Sequence, residues 1–94
     1  MSQMGVVLTH ERCLALGKGD AIGVDDRHRW VVDAVAQNSE GHLRFTFLYG
    51  DKKRTVFYKL TPRGYWRFFY ESGAVSGVLN ASAAMVFTPQ EARA

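Results

Sequence analysis

Ninety-four residues, 47% hydrophobic and 22% charged with two prolines, exclude a disordered or low-complexity chain. That length suits a single domain, 1–94, burying roughly 60–65% of its unfolded surface, enough for one core but not for a deep substrate cavity as well. The net charge of +3 is modest, and no apolar run approaches the ~20 residues of a membrane helix, so no membrane contact is expected.

Met1-Ser2-Gln3-Met4-Gly5 lacks the basic and apolar regions of a signal peptide. The single cysteine, Cys13, has no internal disulfide partner; its apolar stretch predicts a buried thiol and a cytoplasmic protein. Residues 1–20 read as a short helix and turn. Gly5–Leu8 offers a short strand, Thr9 an N-cap, His10–Leu16 two helical turns and Gly17 a C-cap, with Lys18-Gly19-Asp20 as the turn.

Residues 21–71 carry the main antiparallel strands. Ala21–Val24 is a short strand, Asp25-Asp26-Arg27 a polar turn and Arg29–Ala36 a β-branched run. In His42–Tyr49, Leu43, Phe45, Phe47 and Tyr49 alternate with His42, Arg44 and Thr46. Gly50-Asp51-Lys52-Lys53 reads as a hairpin loop, Arg54–Leu60 as the return strand, Thr61-Pro62-Arg63-Gly64 as a turn and Tyr65–Glu71 as the next strand. Leu43, Phe45, Phe47, Tyr58, Trp66 and Phe68 are the expected core.

Residues 72–94 are less regular. Ser72–Ala84, rich in Gly, Ala and Ser, fits a loop with a weak strand at Val75–Leu79 or an irregular helix; Met85-Val86-Phe87 reads as a last strand. Thr88-Pro89-Gln90-Glu91 has capping-box spacing before a frayed C-terminus. The fold class is therefore mainly β, a five- or six-stranded antiparallel barrel or strongly bent sheet with a short N-terminal helix. Leu16-Gly17-Lys18-Gly19-Asp20-Ala21-Ile22-Gly23-Val24 resembles the opening of SH3-like barrels, which implies such a barrel as one form of that fold.

Residues 42–70 hold seven basic residues against Asp51 and ten of the twelve aromatics. Alternation places Arg44, Thr46, Phe57, Lys59, Tyr65, Arg67 and Phe69 opposite the expected core, with Lys52-Lys53-Arg54 extending the positive track at a hairpin tip. Cations interleaved with rings suit single-stranded nucleic acid, where cations follow phosphates and rings stack bases. The same face also suits a protein contact or a homodimer, and Phe57 and Phe69 could lie under the N-terminal helix.

No metal or other cofactor is expected: His10, His28 and His42 lack ligand spacing, and Arg27 and Arg29 would repel a cation from Asp25 and Asp26. No catalytic residue stands out. Cys13 and His10 form only an i, i+3 pair, while Asp33, set in an apolar run, calls for a partner, with Arg29 the expected cation. The leading expectation is a non-enzymatic module contacting a protein, as an accessory or inhibitory protein or a homodimer. Single-stranded nucleic-acid binding is the alternative, and a small-molecule-binding barrel comes third.

Overall fold

The computed structural model describes residues 6–25 and 27–87. Its strands are β1 (Val6–Val7), β2 (Ala21–Gly23), β3 (Trp30–Gln37), β4 (Leu43–Tyr49), β5 (Lys52–Leu60), β6 (Trp66–Tyr70) and β7 (Met85–Val86). They form one antiparallel sheet of order β1-β7-β2-β3-β4-β5-β6. The mainly β expectation holds, as a strongly curled half-barrel with β1 and β6 at its edges. The count is seven rather than five or six because β1 and β7, only two residues each, pair with one another.

The N-terminal helix is shorter than the sequence suggested. Thr9 caps α1 (His10–Leu14) as expected, its hydroxyl accepting from the Arg12 N–H, but the C-cap is Ala15, not Gly17. Asp20 explains the early stop. Its carboxylate accepts from the Gly17 N–H at 2.8 Å, and its carbonyl accepts from the Val32 N–H at 2.8 Å, which ties the turn to β3. Cys13 and Leu16 face inward and join the core.

The β3–β6 meander follows its period-2 pattern. Phe45, Phe47, Val56, Tyr58 and Phe68 are buried on the concave side, while Arg44 and Arg67 are exposed. Trp66, expected in the core, is half-buried and packs against its rim. Between β4 and β5 the chain reverses in two residues, with Gly50 at φ 66. A glycine at the first central position is what a type II′ hairpin turn needs. Lys52 therefore pairs with Tyr49 and Lys53 with Leu48, as strand residues rather than loop residues.

Ser72–Ala84 is an irregular strap, not a helix. Val75 bridges to Phe69, Ser76 and Leu79 are buried, and the Asn80 amide clasps β6. Asn80 Oδ1 accepts from the Phe68 N–H at 2.9 Å, and its Nδ2 donates to the Phe68 carbonyl at 3.0 Å. The amide supplies the strand partner that an open barrel would otherwise lack. The N-terminal Met1–Gly5 stretch, Asp26 and the Thr88–Glu91 capping box lie outside the described residues.

Candidate functional site

The convex face of β4–β6 is built by register. Arg44 pairs with Phe57 and Phe57 with Phe69, giving one cross-strand row. Lys59 pairs with Arg67 in the next row. All five side chains have the parity opposite the buried Phe45, Val56, Tyr58 and Phe68. Phe57 and Phe69 are half-buried, while Arg44 and Arg67 are exposed.

The cations sit on the rings. The Lys59 ammonium lies 4.9 Å from the centroid of Phe69, and the Arg67 guanidinium 5.6 Å from that of Tyr65. Such contacts are worth ~0.5–1 kcal/mol at an exposed site, enough to bias the side chains and not enough to lock them. Tyr65 is 59% exposed, at the lip where the Thr61–Gly64 turn enters β6.

Not all of the expected set joins this face. The two-residue turn threads Lys52, Lys53 and Arg54 into β5, so alternation splits them. Lys53 shares the convex parity, while Lys52 and Arg54, opposite Tyr49 and Phe47, take the concave one. A single basic cluster at a hairpin tip is therefore corrected to a divided one.

Helix α1 does not cover Phe57 or Phe69. It docks on the concave side, where the Cys13 thiol meets the Tyr58 hydroxyl and the His10 ring lies 5.1 Å from Trp66. His10 Nδ1 is 2.8 Å from the Tyr58 hydroxyl, so the imidazole engages a phenol and does not activate the thiol. Burial pushes the Cys13 thiol up to about 12 against the opposing Tyr58 hydrogen bond, the reverse of an activated nucleophile. Desolvation and the neighbouring Cys13 push Tyr58 up as well.

Asp33 is the extra residue of a β-bulge between Val32 and Ala34. The bulge turns its carboxylate away from the core, and Lys53 supplies a cation at 3.8 Å. Arg29, the partner expected from sequence, lies with its guanidinium 5.2 Å from the Phe87 centroid. Asp25 closes its own turn, accepting from the N–H groups of Arg27 and His28 at 2.9 Å each. The His28 ring, 3.0 Å from the same carboxylate, holds the Asp25 carboxyl below its ordinary value. Among the described residues no three His, Cys, Asp or Glu side chains gather as metal ligands would.

Two clefts flank the packed interior. One, of about 310 Å³, lies beside α1 and is lined in part by His10, Cys13, Tyr58 and Trp66. The other, of about 620 Å³, opens at the opposite end of the meander over Trp30, Tyr49 and Tyr70. Sequence reading missed the second cleft. Its rings are remote in sequence, yet they open β3, close β4 and close β6, strand ends that an antiparallel meander brings to one side. No protein-family model, curated protein or solved structure matches the chain.

No helix among the described residues is long and apolar enough to cross a membrane.

Proposed function

We propose that this protein is a non-catalytic binding module that takes single-stranded nucleic acid across the convex face of β4–β6. The observation that carries this reading is the Arg44–Phe57–Phe69 row beside the Lys59–Arg67 pair, with α1 docked on the other side. Phosphates would follow Arg44, Lys59 and Arg67. Bases would stack on Phe57 and at the lip on Tyr65, each stack worth roughly 1–3 kcal/mol. This order reverses the expectation from sequence, where a protein contact led partly because α1 could have covered the rings.

A protein contact remains the second reading, supported by apolar side chains beside the row. Val75, bridged to Phe69, is 56% exposed, and Ala36 extends the Arg44 row onto β3. Such a surface would receive an unidentified protein or a second copy of the chain.

Fluorescence anisotropy of labelled oligonucleotides at low and moderate salt, with light scattering of the same variants, separates the two. Log affinity should fall with log salt at a slope near −0.7 per phosphate neutralised, and Lys59→Ala should flatten that slope. Phe57→Ala should weaken binding at every salt concentration, because stacking is less sensitive to screening. Wild-type affinity weaker than about 10⁻⁴ M at physiological salt would match non-specific binding and sink the nucleic-acid reading.

A further inference from the structure

The larger cleft differs from the convex face in both shape and chemistry. Phe45, Phe47 and Phe68 are buried in the packed concave interior. Beyond Phe47 the filling stops, and the concave parity is continued by Tyr49 and Tyr70, both half-buried. Each leans on Trp30, with ring centroids 5.0 Å and 6.3 Å from it. Trp30 is itself buried and braced edge-on by Phe47 at 5.9 Å, so the floor is rigid. Lys53, the exposed Arg54 and Glu71 also line the cleft.

A core residue at the position of Arg54, which pairs with Phe47, would be apolar. A guanidinium there instead faces a ring-lined opening of about 620 Å³, within the size range of small-ligand sites. Rings offer their faces to a flat, weakly polar body, and Arg54 offers a planar donor fork to an anion. A ligand satisfying both halves is a planar heterocycle carrying a phosphate.

We infer that this cleft binds one nucleotide, its base against Tyr49 and Tyr70 over the Trp30 floor and its phosphate on Arg54. The occupant is a free mononucleotide or the terminal nucleotide of a strand. The site stands apart from the convex row and does not depend on it. Nucleotide binding here should be unchanged by Phe57→Ala.

The indole N–H resonance of Trp30, distinguished from that of Trp66 by Trp66→Phe, reports on the floor directly. Adenosine 5′-monophosphate should shift it saturably with a dissociation constant below about 1 mM. Adenosine should bind about tenfold more weakly, and inorganic phosphate alone should leave the indole unmoved. Arg54→Gln should weaken the monophosphate about tenfold with adenosine unchanged, whereas Tyr49→Leu should weaken both. A 5′-phosphorylated oligonucleotide binding about tenfold tighter than its unphosphorylated twin, with the gain lost in Arg54→Gln, would identify strand ends as the source. Equal binding of the twins beside a saturable monophosphate shift would identify the free nucleotide. No saturable shift by roughly 10 mM monophosphate, or Arg54→Gln binding it like wild type, overturns the assignment.

Discussion

The two faces of β4–β6 are made from the same strands, residue by residue in alternation, yet they use aromatic rings in opposite ways. On the concave side Phe45, Phe47 and Phe68 are fully enclosed, and Tyr58 stacks on Trp66 at 5.3 Å. On the convex side Phe57 and Phe69 keep part of their surface, and their neighbours are Arg44, Lys59 and Arg67. Ring content therefore says nothing about role until the parity of each ring and the identity of its cross-strand neighbour are known. Parity outranks the neighbour: Phe47, opposite Arg54, is fully buried, while Phe57, between Arg44 and Phe69, is half-buried on the convex side.

The sharpest way to break this contrast is truncation. Phe45→Ala or Phe68→Ala should cost about 3–5 kcal/mol, because the hole is walled by other buried rings and cannot collapse. Denaturant midpoints of the purified variants measure this directly. A Phe45→Ala protein that unfolds with wild type would mean the concave assignment is wrong.

Alkaline pH gives the next effect, again on the concave side only. Cys13 is raised from its ordinary 9.0 to about 12 by burial, and Tyr58 is raised from 10.0 in the same direction. Below pH 9 the thiol is neutral in both folded and unfolded chains, and the stabilisation is complete. Between pH 9 and about 12 the unfolded thiol loses its proton while the folded one holds it, so stability falls as pH rises. Melting temperatures from pH 8 to 11 should decline, and Cys13→Ala should decline less steeply. A flat profile in the wild-type protein would contradict the buried Cys13–Tyr58 pair.

Asn80→Ala tests the seam. It leaves the Phe68 N–H without the Asn80 acceptor in a part-buried setting, at a cost of roughly 1–3 kcal/mol, and protease cleavage within 72–84 should quicken. Unchanged stability would show the clasp to be dispensable.

The smallest changes belong to the convex face. Phe57→Ala should cost stability much less than Phe45→Ala while weakening oligonucleotide binding. Lys53→Ala removes an ion pair to Asp33 whose lysine is 70% exposed, worth ~0–1 kcal/mol at most. A Phe57→Ala variant as unstable as Phe45→Ala would erase the distinction between the faces.

Much of this contrast was legible in the sequence. The alternation through 43–49 and 56–70 places the concave rings on the right face, Trp66 among them though only half-buried, and assigns Arg44, Phe57, Lys59, Arg67 and Phe69 to the convex face. The misreadings have local causes. Gly50-Asp51 suffices for the whole reversal, so Lys52 and Lys53 become strand residues, a distinction that turns on one glycine dihedral. Asp20 reaches back to Gly17 and ends α1 early, a contact between side chain and backbone that helix propensity does not register. The Asn80 clasp and the Trp30–Tyr49–Tyr70 cleft depend on which strands become neighbours. Periodicity within a strand carries no such information.

An open sheet has two unpaired borders, and copies of a small β protein can in principle stack border to border into fibrils. Here one border, β1, runs for only two residues among those described. At the other, β6, the Phe68 N–H and carbonyl are taken by Asn80, and the Tyr70 N–H donates to the Ala74 carbonyl at 2.8 Å. The strap thus blocks templated growth at β6, and an extended peptide seeking to add as an eighth strand would first have to displace it.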